Sequence, residues 1–330
     1  MKFVDTFEFH KNNPEQAPHD YYRFLRIKLS EQVLDKKVIY LDTKYWVLMR
    51  KGLLDPNDYP LENGILKLAI ELSSQGTCIF PISEDVFLEV MKQTDERTLK
   101  ATAELIDQLS QGISSISSEE RIKLELLHCW YSITGKSVYR TEQLVWTKLS
   151  YLMGMQQFKM PELSEDDNCM IQKSFMDQMW SISLNQMIST IEDSGGMITD
   201  LHPKIADKLN DGKFKHADDA KTFNQMFLNE VAGIIDVYSD DLADMMSYMY
   251  SQKKVLTETE DELLQHRNET KKLMGNAIYN IFRLNKVTGE MPSINILSSL
   301  HAAVRWDKQQ KFQDNDFNDF RHATTALPYC

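Results

Sequence analysis

Cysteine, glycine and proline are all scarce here: the 330 residues include 4 Cys, 12 Gly and 9 Pro. Cys78, Cys129, Cys169 and Cys330 stand far apart with no CxxC pair. That argues against a disulfide framework or a zinc site and for reduced thiols in a cytoplasm. No apolar run approaches the roughly 20 residues of a membrane span. The opening MKFVDTFEFHKNNPEQAPHD lacks the apolar stretch and small-residue cleavage site of a secretory signal. Neither GxGxxG nor GxxxxGK[ST] occurs, which argues against a dinucleotide enzyme or a nucleotide-driven motor. Positive charge is also short, with 49 acids against 37 bases and a net charge of −12. A protein that coats DNA indiscriminately is usually basic, because neutralised phosphates supply its affinity. A nuclease is not excluded, since it needs only a local basic groove beside an acidic metal site.

What is present is a globular composition, 42% hydrophobic and 26% charged, with length enough for one large domain or two ordinary ones. Two short apolar stretches rich in β-formers read as buried strands: Lys37 to Leu41, ending at Asp42, and Thr77 to Ile82. Between them residues 44–51 and 61–74 read as helices, so the crossover is long enough to make the two strands parallel. Ser83 is a good N-cap, with Glu84 and Asp85 in the first turn of a helix to about Gln93. A further helix follows from about Glu96 to Leu109. From about Glu119 to Gly289 apolar residues recur at three- and four-residue spacings, a helical pattern. It is broken at Pro161, Gly195-Gly196, Pro203 and Gly212. The last helices are expected over 294–312 and from Asp316 onward.

Asp42 directly follows a strand, and ligands collect at the carboxyl ends of strands in open α/β sheets; the plainer role for such an aspartate is a turn or cap. Glu89 sits on the second turn of the next helix, where a lone glutamate is usually just solvated. In Asp316-Phe317-Asn318-Asp319-Phe320-Arg321-His322 the residues Asp316, Asp319 and His322 recur every three positions and share a broad helical face. First-turn acids that complement the helix dipole would give the same pattern.

Taken in order, strand–Asp42, strand–Ser83…Glu89 and the late NDFNDFRHATTALPYC segment resemble the PIN-like nuclease family, over about residues 37–100 and 293–330. The resemblance implies an α/β fold, a three-layer α/β/α core with a mostly parallel sheet, interrupted by a large α-helical insertion. The corresponding division is an N-terminal extension (1–36), a first part of the core (37–110), a helical insertion (111–290) and a second part of the core (291–330). It further implies phosphodiester hydrolysis with one or two Mg²⁺ or Mn²⁺ ions, with Asp42, Glu89 and Asp319 catalytic and Asp316 as an added metal ligand. Hard oxygen ligands of this kind suit such ions. RNA is favoured over DNA as substrate. The family pattern continues past the Asp319 helix through a Pro-Tyr entry into another strand, where this sequence stops.

Cations for a substrate groove are expected from Arg305, Lys308 and Lys311, spaced by three on the helix before the acidic motif, and His322 is an orienting or phosphate-contacting candidate. Tyr45 and Trp46, just after Asp42, read as core of the first helix more than as base-stacking groups. A toxin or antiviral effector, restrained by a regulatory protein partner through the helical block, and a homodimer both fit this reading. The competing reading is a catalytically inactive scaffold whose helical insertion mediates protein–protein interaction.

Overall fold

The computed structural model describes residues 4–135, 139–152, 154–155, 159–193, 205–216, 219–251, 260–284 and 288–330. The expected breaks at Gly195-Gly196 and Pro203 lie outside these. The chain opens with α1 (Phe7–Lys11), α2 (Pro18–Leu34), β1 (Lys37–Val38), α3 (Thr43–Leu54), α4 (Pro60–Ser74), β2 (Cys78–Ile79) and α5 (Glu84–Val90). Next come α6 (Glu96–Ser110), β3 (Ile113–Ser115), α7 (Ser118–Ile133), β4 (Trp146–Lys148), α8 (Glu165–Trp180) and α9 (Leu184–Asp193). The order closes with α10 (Ile205–Lys215), α11 (Phe223–Ser251), α12 (Glu260–Arg283), α13 (Pro292–Trp306) and α14 (Asp316–Tyr329).

The expected three-layer α/β/α core with a mostly parallel sheet is not formed. The described residues are 71% helix and 4% strand, with two small sheets among them. One piece of the expectation is present: β1 and β2 pair in parallel, Lys37 with Cys78 and Val38 with Ile79. The ladder ends quickly because its edge is taken by other partners. Phe80 N–H turns to the carbonyl of Leu109 at the end of α6 (3.3 Å), and Ile82 bridges to Ser114. β3 pairs antiparallel with β4. Beyond these, apolar residues follow the helical period, so helices rather than further strands bury the core. At the other end of the chain, α14 stays helical through Pro328 to Tyr329, where a strand entry was expected.

The chain divides into two compact units. Unit 1 comprises Met1–Ser118, Arg140–Leu201 and Tyr329–Cys330. Its core packs Trp46, Leu66, Phe80, Ile82, Ile106 and Leu109 around the parallel pair. Trp46 is fully buried, while Tyr45 is 53% exposed. α3 and α4 approach so closely at Gly52 that a β-carbon there would lie 2.4 Å from the backbone nitrogen of Asn63; only glycine fits without a shift. Asp107 of α6 accepts from the N–H groups of Leu184 (2.7 Å) and Asn185 (3.1 Å). It thereby satisfies donors that the first turn of α9 would leave open.

Unit 2 comprises Glu119–Tyr139 and His202–Pro328, with a helical core that includes Ile122, Leu126, Val231, Ile235, Phe282 and Ile294. α11 packs along both α12 and α13. A polar network is buried within this unit. Arg121 Nε donates to Ser293 Oγ at 3.0 Å and its Nη2 to Thr324 Oγ1 at 2.9 Å. The Glu125 carboxylate accepts from Ser293 N–H (2.9 Å) and from its hydroxyl (2.6 Å). These bonds tie α7, α13 and α14 together. No helix among the described residues is long and apolar enough to cross a membrane.

Candidate functional site

In unit 1 the chain leaves both parallel strands into helices that begin with acids. Asp42 is the N-cap of α3 and exposed. Its Oδ1 accepts from Lys44 N–H at 2.8 Å, which satisfies an open helix donor. The plainer role weighed from the sequence is therefore filled by one of its two carboxylate oxygens. At the neighbouring exit Ser83 caps α5, accepting from Val86 N–H at 3.3 Å. The hydroxyls of Tyr40 and Ser83 are hydrogen-bonded at 2.7 Å, so the two exits are tied side by side. Glu84 and Asp85 fill the first turn of α5, Asp85 only 2% exposed, and Glu89 is half-buried a turn later.

Asp316, Asp319 and His322 belong to unit 2, on α14. Asp316 Oδ2 accepts from Gln313 N–H at 2.9 Å, closing the turn that enters the helix. Asp319 is exposed, and its Oδ1 accepts from the Asn315 amide at 3.3 Å. His322 is buried, so the three residues grade from half-buried through exposed to buried instead of presenting one open face. The start of α14 is held by His301 of α13, whose ring lies 5.7 Å from that of Phe317, 5.1 Å from Phe320 and 5.5 Å from Phe312. Burial, with the Arg305 guanidinium nearby, pushes the pKa of His301 from 6.5 down to about 4, against the opposing pull of Asp316.

Among the described residues no group of three or more His, Cys, Asp or Glu side chains could hold a metal ion. The sequence-expected carboxylates thus fall into two sets, Asp42 and Glu89 in unit 1 and Asp316 and Asp319 in unit 2. Compared with protein-family models, with curated proteins and with solved structures, the chain matches none.

The expected cations do converge. Arg305, Lys308 and Lys311 line one cleft of about 940 Å³ in unit 2, together with Asn210, Lys213, Phe214, Lys221, Met226 and Trp306. The expected helix face is corrected, however: α13 stops at Trp306, so Lys308 and Lys311 lie in the loop that follows. Lys213 sets that loop. Its ammonium donates to the carbonyls of Val304 (2.6 Å), Asp307 (2.5 Å) and Gln310. Such bonds satisfy carbonyls that a helix end otherwise leaves open. Burial lowers the pKa of Lys213, opposed by Asp307.

Arg305 is also committed to the wall. Its Nε lies 2.5 Å from Glu230 Oε1 on α11, and its guanidinium sits 5.5 Å above the Phe312 ring. Burial pushes the Glu230 carboxyl up, and Arg305 pulls it back. Lys221, Lys308 and Lys311 remain: all are exposed, and none forms an ion pair among the described residues. Trp306 is 44% exposed and Phe214 89%. Lys213, Lys221, Phe214 and Trp306 were not legible as site residues. Their only sequence trace is the pairing of an aromatic with a nearby lysine in two distant segments.

Proposed function

We propose that this chain is a metal-dependent nuclease that hydrolyses phosphodiester bonds, acting on RNA in preference to DNA, in the cytoplasm. One observation supports this reading above the others. Asp42 and the acids of α5 leave the same end of the parallel pair β1–β2, where open α/β sheets gather their ligands, and the Tyr40–Ser83 bond holds the two exits together. The donor chemistry fits Mg²⁺ or Mn²⁺, because such an ion keeps several waters and is commonly held by one or two carboxylates plus substrate phosphate. Asp42 and Glu89 are the carboxylates assigned to it. When bound, the ion would make a coordinated water a better nucleophile and offset charge developing on the phosphate. Asp42 uses one carboxylate oxygen in its backbone bond to Lys44, and the second is the one assigned to the ion. Asp316 and Asp319 are carried by the family resemblance alone, and each needs its own substitution.

The test is cleavage of labelled single-stranded RNA and DNA pools in Mn²⁺, Mg²⁺ and EDTA, with Asp42→Asn, Glu89→Gln, Asp316→Asn and Asp319→Asn alongside. Asparagine caps a helix about as well as aspartate, so Asp42→Asn removes a charge and leaves α3 intact. Metal-dependent cutting that falls about 100-fold or more in Asp42→Asn is expected. Cutting that survives EDTA, cutting untouched by Asp42→Asn, or no cutting at all would overturn the proposal.

A second reading, a scaffold without activity, is favoured by one feature of unit 1. Leu61, Ile65 and Leu68 on α4 are 72%, 52% and 55% exposed at a four–three spacing, the seam pattern of paired helices. A scaffold would lose nothing on Asp42→Asn.

A further inference from the structure

We infer that the cleft of unit 2 is a binding site for single-stranded nucleic acid. Three features together carry this. First, Lys221, Lys308 and Lys311 are exposed cations with no carboxylate partner among the described residues, in a chain whose net charge is −12. Cations left unneutralised in an acidic protein mark a place for an anion from outside. Second, the same cleft carries two exposed aromatic rings, Trp306 and Phe214. Exposing a ring that size to water is unfavourable, and bases recover the loss by stacking on it. Third, the cleft is built and held. Lys213 fastens one carbonyl at the end of α13 and two of the loop carrying Lys308 and Lys311, and the Arg305–Glu230 pair braces the cleft wall. These two cations are consumed by structure, which leaves the lysines to the ligand.

Phosphates spaced along a strand, with a π-face on every base, match this combination of cations and rings. A duplex hides its π-faces in the stack and cannot use the rings. An acidic peptide could meet the lysines but would leave the rings in water. The choice of nucleic acid over other polyanions rests on the nuclease reading. Binding itself does not, because it needs neither metal nor the carboxylates of unit 1.

The experiment is fluorescence anisotropy with the full chain in EDTA, using labelled 12-nucleotide RNA and DNA strands of one sequence. The corresponding duplexes and polyglutamate of equal charge are the controls. EDTA separates the two claims, since cleavage can fail while binding holds, and the reverse. Engagement of three phosphates by the lysines predicts that log affinity falls against log salt with a slope of about −2, at roughly 0.7 per phosphate for single strands. Lys308→Ala/Lys311→Ala is expected to reduce that slope by about 1.4. Trp306→Ala and Phe214→Ala are each expected to weaken binding about fivefold or more and leave the slope unchanged. Phe214 is almost fully exposed, so its variant keeps the fold even if removing Trp306, which meets the Phe223 ring at 6.3 Å, disturbs it. The RNA and DNA arms decide which strand the cleft prefers, and binding of either meets the expectation. Equal binding of duplex or polyglutamate, no binding at low salt, or affinity indifferent to both the lysine and the Phe214 variants would overturn the inference.

Discussion

Arg121→Met probes what holds α14 in place. Arg121 is 1% exposed and Glu125 fully buried, with the Ser293 hydroxyl bridging them: it accepts from Arg121 at 3.0 Å and donates to Glu125 at 2.6 Å. Removing the guanidinium leaves the buried carboxylate without the cation across that hydroxyl, and deprives Ser293 and Thr324 of a donor. Breaking one side of a buried charge arrangement costs about 3–5 kcal/mol. In a unit of this size each kcal/mol moves the melting temperature by roughly 2–4 °C, so a drop of roughly 10–15 °C is expected for the transition of unit 2. Glu125→Leu alone strands the guanidinium and removes two acceptors at the start of α13, with a loss of similar size. The double variant Arg121→Met/Glu125→Leu takes both charges out of the core together. What remains is mainly the uncapped Ser293 N–H, about 1 kcal/mol. The coupling between the two substitutions is therefore several kcal/mol in favour of the pair. Calorimetry on the four proteins, with hydrogen exchange on the amides of α13 and α14 to assign the transition, measures it directly. If the double variant loses the sum of the single losses, or if Arg121→Met costs less than about 1 kcal/mol, the network does not act as one unit and the reasoning fails.

Gly52→Ala sets two effects against each other. Alanine favours the helix by about 1 kcal/mol, but its β-carbon would meet the Asn63 backbone at 2.4 Å, and displacing packed backbone costs about 1–3 kcal/mol; a lowered urea midpoint is expected and a raised one would refute the close contact. His301 makes stability depend on pH. Its folded pKa of about 4 lies below the 6.5 of the free side chain, so as pH falls below 6.5 the unfolded chain takes up a proton that the folded one refuses. Stability is then lost down to about pH 4, with roughly 2 kcal/mol of it between pH 7 and 5. His301→Phe should flatten that part of the urea-midpoint profile, and an unchanged profile would show that another group is responsible.

Local signals were legible, and distant partners were not. Ser83 as the cap of α5 follows from residue types within a few positions of each other, and the parallel course of β1 and β2 from the length of the helical crossover between them. How short the sheet is could not be read, because Phe80 is diverted by the Leu109 carbonyl some thirty positions on. The loop after α13 shows the same limit. Arg305, Lys308 and Lys311 keep a three-residue spacing that mimics one helix face. The helix nevertheless ends at Trp306, where Lys213, some ninety residues earlier, collects its last carbonyls. Nothing around Lys213 in the sequence distinguishes it from a solvated lysine. Asp42 is a subtler case: cap and ligand are compatible, since the cap uses one oxygen and leaves the other.

The distribution of charge reconciles an acidic chain with a polyanionic ligand. Of the five cations lining the cleft, Arg305 is balanced by Glu230 and Lys213 is held by carbonyls. Its attraction for phosphate therefore comes from Lys221, Lys308 and Lys311. At physiological ionic strength the Debye length is about 8 Å, so a phosphate in the cleft feels these three ammoniums and little of the net −12 spread over the rest of the surface. Contact is then favourable although long-range steering is not. Near 0.01 M salt the Debye length grows to about 30 Å, and the whole acidic surface begins to repel the approaching strand. Affinity should therefore stop climbing as salt is lowered, and the slope belonging to the three lysines is the one measured above that bend. A basic coating protein would show no bend, because its distant charges and its contact charges have the same sign.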